Sequence, residues 1–185
     1  PAPAHAGGLD RGDHLICDSG CSSISRFNSE GKLLGHDIQG YCAGERIYSP
    51  NDLALDSKGG IYFTDSIREN GKVCYYEPGG KQQIIERNLD FPNGIVLSNE
   101  EELLFVAESY RNRILSFHLP LQLSSTGHFE VFAELPTHSS GDILKNLPDG
   151  IKIDRNGNLL VAHYGMQSIQ VLSKQGKIIN CIRTE

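Results

Sequence analysis

The sequence predicts an all-β fold, a β-propeller of which about four blades are present. Three observations predict it. One strand–turn–strand pattern recurs four times, each copy is followed by two further short apolar runs, and no stretch keeps a helical period with caps. A length of 185 residues suits a single domain spanning 1–185.

The first copy is Leu9-Asp10-Arg11-Gly12 followed by Leu15-Ile16-Cys17-Asp18, and it is the shortest. The second runs Leu53-Ala54-Leu55, a turn at Asp56-Ser57-Lys58-Gly59-Gly60, then Ile61-Tyr62-Phe63-Thr64-Asp65. In the third, Ile95-Val96-Leu97-Ser98 leads to Leu103-Leu104-Phe105-Val106-Ala107-Glu108 with one extra turn residue. The fourth, from Ile151-Lys152-Ile153-Asp154 to Leu159-Leu160-Val161-Ala162-His163, matches the second without a gap. Third runs follow at 23–27, 72–76, 113–117 and 168–172, and fourth runs at 32–34, 83–85, 129–132 and 177–179. All are rich in Val, Ile, Tyr and Phe and bounded by Gly, Asn, Asp and Ser, as strands and their turns require. Four strands per repeat, with starts at 53, 95 and 151, is the spacing of propeller blades. A longer third repeat predicts a loop insertion at 121–128. A twisted β-sandwich would explain the strands but not their ordered repetition.

Composition narrows the function. A net charge of -6 argues against a nucleic-acid or anionic-membrane surface, which would need clustered Lys and Arg. No apolar run approaches the ~20 residues of a membrane helix, and no signal peptide is visible, so a cytoplasmic protein is expected. Five cysteines without a CxxC pair predict free thiols, with Cys17, Cys74 and Cys181 buried in apolar runs. There is no G-x-S-x-G nucleophile elbow, no HExxH and no phosphate loop.

A polar residue stands two positions ahead of three of the first strands, each time after a proline: Pro50-Asn51-Asp52, Pro92-Asn93-Gly94 and Pro148-Asp149-Gly150. Innermost strands line a propeller's channel, so Asn51, Asn93 and Asp149 should converge at one mouth. Three oxygen donors with one carboxylate suit a hard divalent cation, Ca²⁺, Mg²⁺ or Mn²⁺, better than Zn²⁺. Each tripeptide taken singly is also an ordinary turn. By the same alignment His5 falls at the equivalent place in the first repeat and would face the pocket, in reach of substrate.

These residues carry a resemblance. Gly44-Glu45-Arg46, Ser49-Pro50-Asn51-Asp52-Leu53 and Ile61-Tyr62-Phe63-Thr64-Asp65 resemble bacterial gluconolactonases. Phe91-Pro92-Asn93-Gly94-Ile95, Val106-Ala107-Glu108-Ser109 and Pro148-Asp149-Gly150-Ile151-Lys152-Ile153-Asp154 are similar to the later blocks of the senescence-marker-protein/gluconolactonase family. Tyr164-Gly165 and the turn at 56–60 are similar to the drug-responsive lactonases of staphylococci. The resemblance implies a six-bladed parent fold, one divalent cation in the channel, most readily Ca²⁺ with Zn²⁺, Mg²⁺ or Mn²⁺ as alternatives, and a small sugar-type lactone as substrate. It further implies Asn93 and Asp149 as metal ligands, Asn51 as a second amide touching metal or substrate, and Asp149 as the acid/base residue. The family's glutamate ligand, in a Glu-Gly-Pro block, has no counterpart in these 185 residues. A fragment lacking part of the site and a closing blade is therefore expected, inactive or weakly active alone. Two other functions fit the same pattern: a phosphotriesterase-like calcium propeller hydrolase, and a non-catalytic propeller that binds partners.

Overall fold

The computed structural model describes residues 12–120 and 129–184, and the expectations for His5, the strand at 9–12 and the insertion at 121–128 fall wholly or largely outside these. The described residues form four antiparallel sheets in sequence order. The first holds β1 (His14–Asp18), β2 (Ser23–Phe27), β3 (Leu33–Gln39) and a small hairpin, β4 (Tyr41–Cys42) and β5 (Glu45–Arg46). The second holds β6 (Pro50–Leu55), β7 (Ile61–Asp65), β8 (Gly71–Tyr76) and β9 (Gln82–Leu89). The third is β10 (Pro92–Leu97), β11 (Leu103–Glu108), β12 (Arg113–His118) and β13 (Phe129–Glu134). The fourth is β14 (Leu147–Ile153), β15 (Leu159–Tyr164), β16 (Ser168–Leu172) and β17 (Ile178–Arg183). Single turns of 3-10 helix at Ser109–Arg111 and Ile143–Lys145 are the only helical residues among those described.

Each sheet is a propeller blade; the second strands of the second and third blades are buried on both faces, whereas β15 of the fourth buries one face and exposes Ala162 and Tyr164 on the other. Alternate residues of β7 serve two different cores. Ile61 and Phe63 pack with Ile24, Ile38 and Ile47 of the first blade, whereas Tyr62 packs with Ile95, Leu104 and Val106 of the third. In β11 the alternation repeats: Leu104 and Val106 face the second blade, Phe105 and Ala107 face Ile151, Val161 and Leu172 of the fourth. The period of two that identifies a strand thus also stacks the blades. Every fully buried Ile, Leu or Phe in these layers contributes roughly 1.5–3 kcal/mol.

The turns keep the blades in register. In the second blade Asp56 Oδ1 accepts the N–H groups of Lys58 and Gly60 at 2.9 and 2.7 Å, with Gly59 at φ 86°. In the fourth, Asp154 Oδ1 accepts from Asn156 and Asn158, both at 2.8 Å, with Gly157 at φ 79°. Ser98 does the same with its hydroxyl in the third blade, accepting from Glu102 and Leu103 at 3.1 Å each.

Two expectations are corrected. Cys181 is exposed, because β17 is an outer strand whose six residues all face solvent; Cys74 is buried and Cys17 half-buried. All five thiols are free. The inner strands also begin three to four residues earlier than the apolar pattern indicated, at Pro50, Pro92 and Leu147. Asn51, Asn93 and Asp149 therefore lie inside strands, not in turns before them.

Candidate functional site

The register explains how a Pro-Asn-Gly tripeptide sits within a strand. In the second blade Pro50 pairs with Asp65 and Leu53 with Phe63, so three steps on β6 oppose two on β7. Pro92/Glu108 and Ile95/Val106 repeat this in the third blade, and Pro148/His163 and Ile151/Val161 in the fourth. Each inner strand therefore carries the same one-residue β-bulge, at 51–52, 93–94 and 149–150. A bulge re-aims the side chains it contains. The proline ahead of it loses no needed donor, since it stands at or beside the strand's start.

Neighbouring inner strands touch at these bulges. Asp52 Oδ2 accepts the N–H of Ile95 at 3.1 Å, joining β6 to β10. Gly94 lies so close to β14 that an added methyl would overlap the Asp149 carbonyl oxygen and lie 2.6 Å from Ile151 N. The corresponding Gly150 has open space around it.

Asn93 and Asp149 line one cavity of about 220 Å³, with Ser109 as its third polar residue and Phe91, Tyr110, Leu147 and Tyr164 as its walls. Asn93 is buried, 9% exposed, and Asp149 is exposed to the cavity's mouth. Asp149 and Tyr164 also border a second, larger cavity of about 640 Å³ beside Leu144, His163 and Ser168. Asn51 occupies the matching bulge of the second blade, exposed, and does not line the wall shared by Asn93 and Asp149. The wall is braced: Arg68 lies over the Tyr110 ring at 3.6 Å while pairing with Asp90 at 2.6 Å, and Phe91 packs edge-on to Tyr110 at 5.8 Å. Phe91 holds a left-handed φ of 62°, an unusual backbone state for an aromatic residue and one that clusters at functional sites.

The donor set fits a hard cation. The Asp149 carboxylate takes part in none of the ion pairs among the described residues. Asn93 binds Ser109 through its Nδ2, which leaves its amide oxygen for a ligand. An amide oxygen and a carboxylate suit Ca²⁺ or Mg²⁺ rather than a nitrogen- and sulfur-held zinc, and no group of three His, Cys, Asp or Glu that could complete a site occurs among the described residues.

Several residues at the site escaped the sequence reading. Ser109 follows Glu108 as Ser66 follows Asp65, and this shared repeat position was the available signal. His163 stands where Asp65 and Glu108 stand, pairing across to Ser168 where they pair to Lys72 and Arg113. It is 1% exposed with neither ring nitrogen hydrogen-bonded among the described residues, and burial, only partly offset by its contact with the Asn146 backbone, pushes its pKa down to about 4.

Residues 5–185 match the model of the SMP-30/Gluconolactonase/LRE-like region, and the chain belongs to that family. It is 33% identical over 164 residues to a lactonase, drp35, of Staphylococcus haemolyticus, covering 83% of this chain and 49% of the relative. It is 31% identical over 193 residues to a gluconolactonase of Zymomonas mobilis, covering 90% and 50%. A solved gluconolactonase structure from Xanthomonas campestris superposes with a TM-score of 0.74 at 26% identity, over 92% of this chain and 58% of that one. The chain thus spans about half the length of the curated relatives it matches. No helix among the described residues is long and apolar enough to cross a membrane.

Proposed function

We propose that this chain is part of a lactone hydrolase that uses one divalent cation, Ca²⁺ in first place, and acts on a small lactone of the sugar type. The cation would be held by Asn93 and Asp149, with Asn51 contributing from the neighbouring bulge and further donors from outside the described residues. The single observation that carries this reading is the bulge repeated at one register position in three blades, two of whose side chains line a common cavity. A lactonase and a gluconolactonase among the relatives support the reaction class.

Ring opening needs a polarised carbonyl, an attacking water and a proton for the departing ring oxygen. A bound cation would supply Lewis-acid polarisation and a more acidic water. Asp149 would take the proton of an attacking water as the water's oxygen bonds to the carbonyl carbon, and would return it to the ring oxygen when the carbon–oxygen bond breaks. The aromatic walls, Phe91, Tyr110 and Tyr164, hold the ring's carbon body and restrict water to the open mouth. Substrate contact by His5 belongs to this proposal as well, as does a single domain over 1–185.

The test is Asp149→Asn in the full protein, assayed on sugar lactones, other small lactones and phosphotriesters. Turnover of lactones should fall by about 10²–10⁴. Full rate in the variant, or a wild-type preference for phosphotriesters, would overturn the reading.

A further inference from the structure

Ser66 and Ser109 perform the same task in successive blades. Each follows the last residue of its blade's second strand. The N–H of Ser66 donates to the carbonyl of Ser49 at 2.8 Å, and its hydroxyl donates to the carbonyl of Pro92 in the next blade. The N–H of Ser109 donates to the carbonyl of Phe91 at 3.1 Å, and its hydroxyl to that of Pro148 at 2.6 Å. Each serine thus ties the residue two before its own bulge to the proline before the next one. Only Ser109 does more: Asn93 Nδ2 donates to its oxygen at 3.4 Å.

A serine hydroxyl has one proton and two lone pairs. At Ser109 the proton is committed to Pro148, whose carbonyl can only accept. The oxygen can therefore meet Asn93 only as an acceptor, and only the amide's NH₂ can donate to it. The amide's orientation follows from this count. Its NH₂ is turned to Ser109, leaving Oδ1 as the atom free for a ligand. Ser109 is 2% exposed, so water does not compete readily for these bonds.

We propose that Ser109 is a positioning residue for the cation site: it fixes which end of the Asn93 amide serves the cavity, and through Pro148 it sets where Asp149 stands. This rests on the reading of Asn93 and Asp149 as cation ligands, and the experiment separates the two. Calcium affinity is measured by calorimetry on the full protein, with Ca²⁺ alone as probe, for Ser109→Ala, Asn93→Ala and the double variant. Both single variants should weaken binding about tenfold or more. In the Asn93→Ala background, Ser109→Ala should change affinity by less than a further threefold, the part carried through Pro148. A Ser109→Ala protein with lowered melting temperature and unchanged calcium affinity would overturn the positioning role while leaving the ligand reading intact. Unchanged affinity in Asn93→Ala would instead remove the ligand reading. If Ser109→Ala does not fold, Ser109→Cys keeps the volume with a much weaker acceptor, and the same affinity loss is expected. Wild-type affinity in Ser109→Cys would count against the proposal.

Discussion

The third and fourth blades solve one packing problem with different chemistry. At the end of the third blade's second strand, Glu108 is 2% exposed and fully used. One carboxylate oxygen accepts the N–H of Asp90 at 2.7 Å, and the other pairs with Arg113 across the ladder at 2.7 Å. In the second blade Asp65 Oδ1 accepts from Tyr48 and Ser49 at 3.0 and 2.6 Å, while Oδ2 makes no hydrogen bond among the described residues and faces Lys72 at 3.5 Å. The fourth blade places His163 and Ser168 there, both uncharged, and neither ring nitrogen has a hydrogen-bond partner among the described residues. In the latch position that follows, Ser66 and Ser109 give way to Tyr164, which is 65% exposed. A carboxylate in this position draws the chain ahead of the inner strand onto the blade. The neutral histidine has only a contact with the Asn146 backbone there, and the fourth blade orders that chain with the 3-10 turn at Ile143–Lys145, capped by Asp142 at 3.0 Å.

Removing the anchor should show a large difference. Glu108→Ala leaves the partly exposed Arg113 and the N–H of Asp90 without their partner, a loss of about 2–3 kcal/mol. His163→Leu replaces two unbonded nitrogens with carbon and should cost less than about 1 kcal/mol. Chemical denaturation of both variants measures the contrast. Equal losses would mean that the carboxylate is not what distinguishes the two blades.

The bulge glycines give a second contrast of similar size between equivalent positions. Gly94→Ala drives a methyl into the Asp149 carbonyl and should cost about 2–3 kcal/mol. Calcium affinity should fall with it, because the two bulges are pushed apart. Gly150→Ala meets no atom within 4 Å and should shift stability by less than about 0.5 kcal/mol. A harmless Gly94→Ala, in melting temperature and in calcium binding, would show that the contact between β10 and β14 can slacken freely.

Much of this architecture was legible in the sequence. The second and third strands of the last three blades lie within a residue of the runs that predicted them, and the Asp-x-x-Gly turns are where their spacing put them. Asn93 and Asp149 were legible because repeat position is a sequence property. Their local structure was not, since Pro-Asn-Gly has the composition of a turn, and only pairing with the neighbouring strand makes it a bulge. Ser109 was hidden for a related reason. Its role depends on a carbonyl 39 residues away in the next blade; the recurrence of a serine after the acid in two blades marks the position but not that partner. The hairpin of β4 and β5 is two residues per strand, too short for any alternation to register.

The smallest expected effect concerns acid, and it sharpens the comparison at His163. Its pKa lies near 4 in the folded blade against an ordinary 6.5, because burial disfavours the charged imidazolium. Above pH 6.5 the ring is neutral folded and unfolded, and contributes nothing to the pH dependence. As pH falls from 6.5 toward 4, the unfolded chain takes up a proton that the folded chain refuses, so stability declines. Below about 4 both states are protonated and the loss levels off. At pH 5 the decline should be about 1–2 kcal/mol. Carboxylates titrate in the same range, so the wild-type curve alone does not isolate the histidine. The informative quantity is the difference between wild type and His163→Leu, followed by thermal melting from pH 7.5 to 4.5 in chelator, so that bound cation adds nothing. The two curves should run parallel above about pH 6.5 and diverge below it, with the leucine variant the more stable. Parallel curves over the whole range would mean that His163 finds a partner for its proton within the fold.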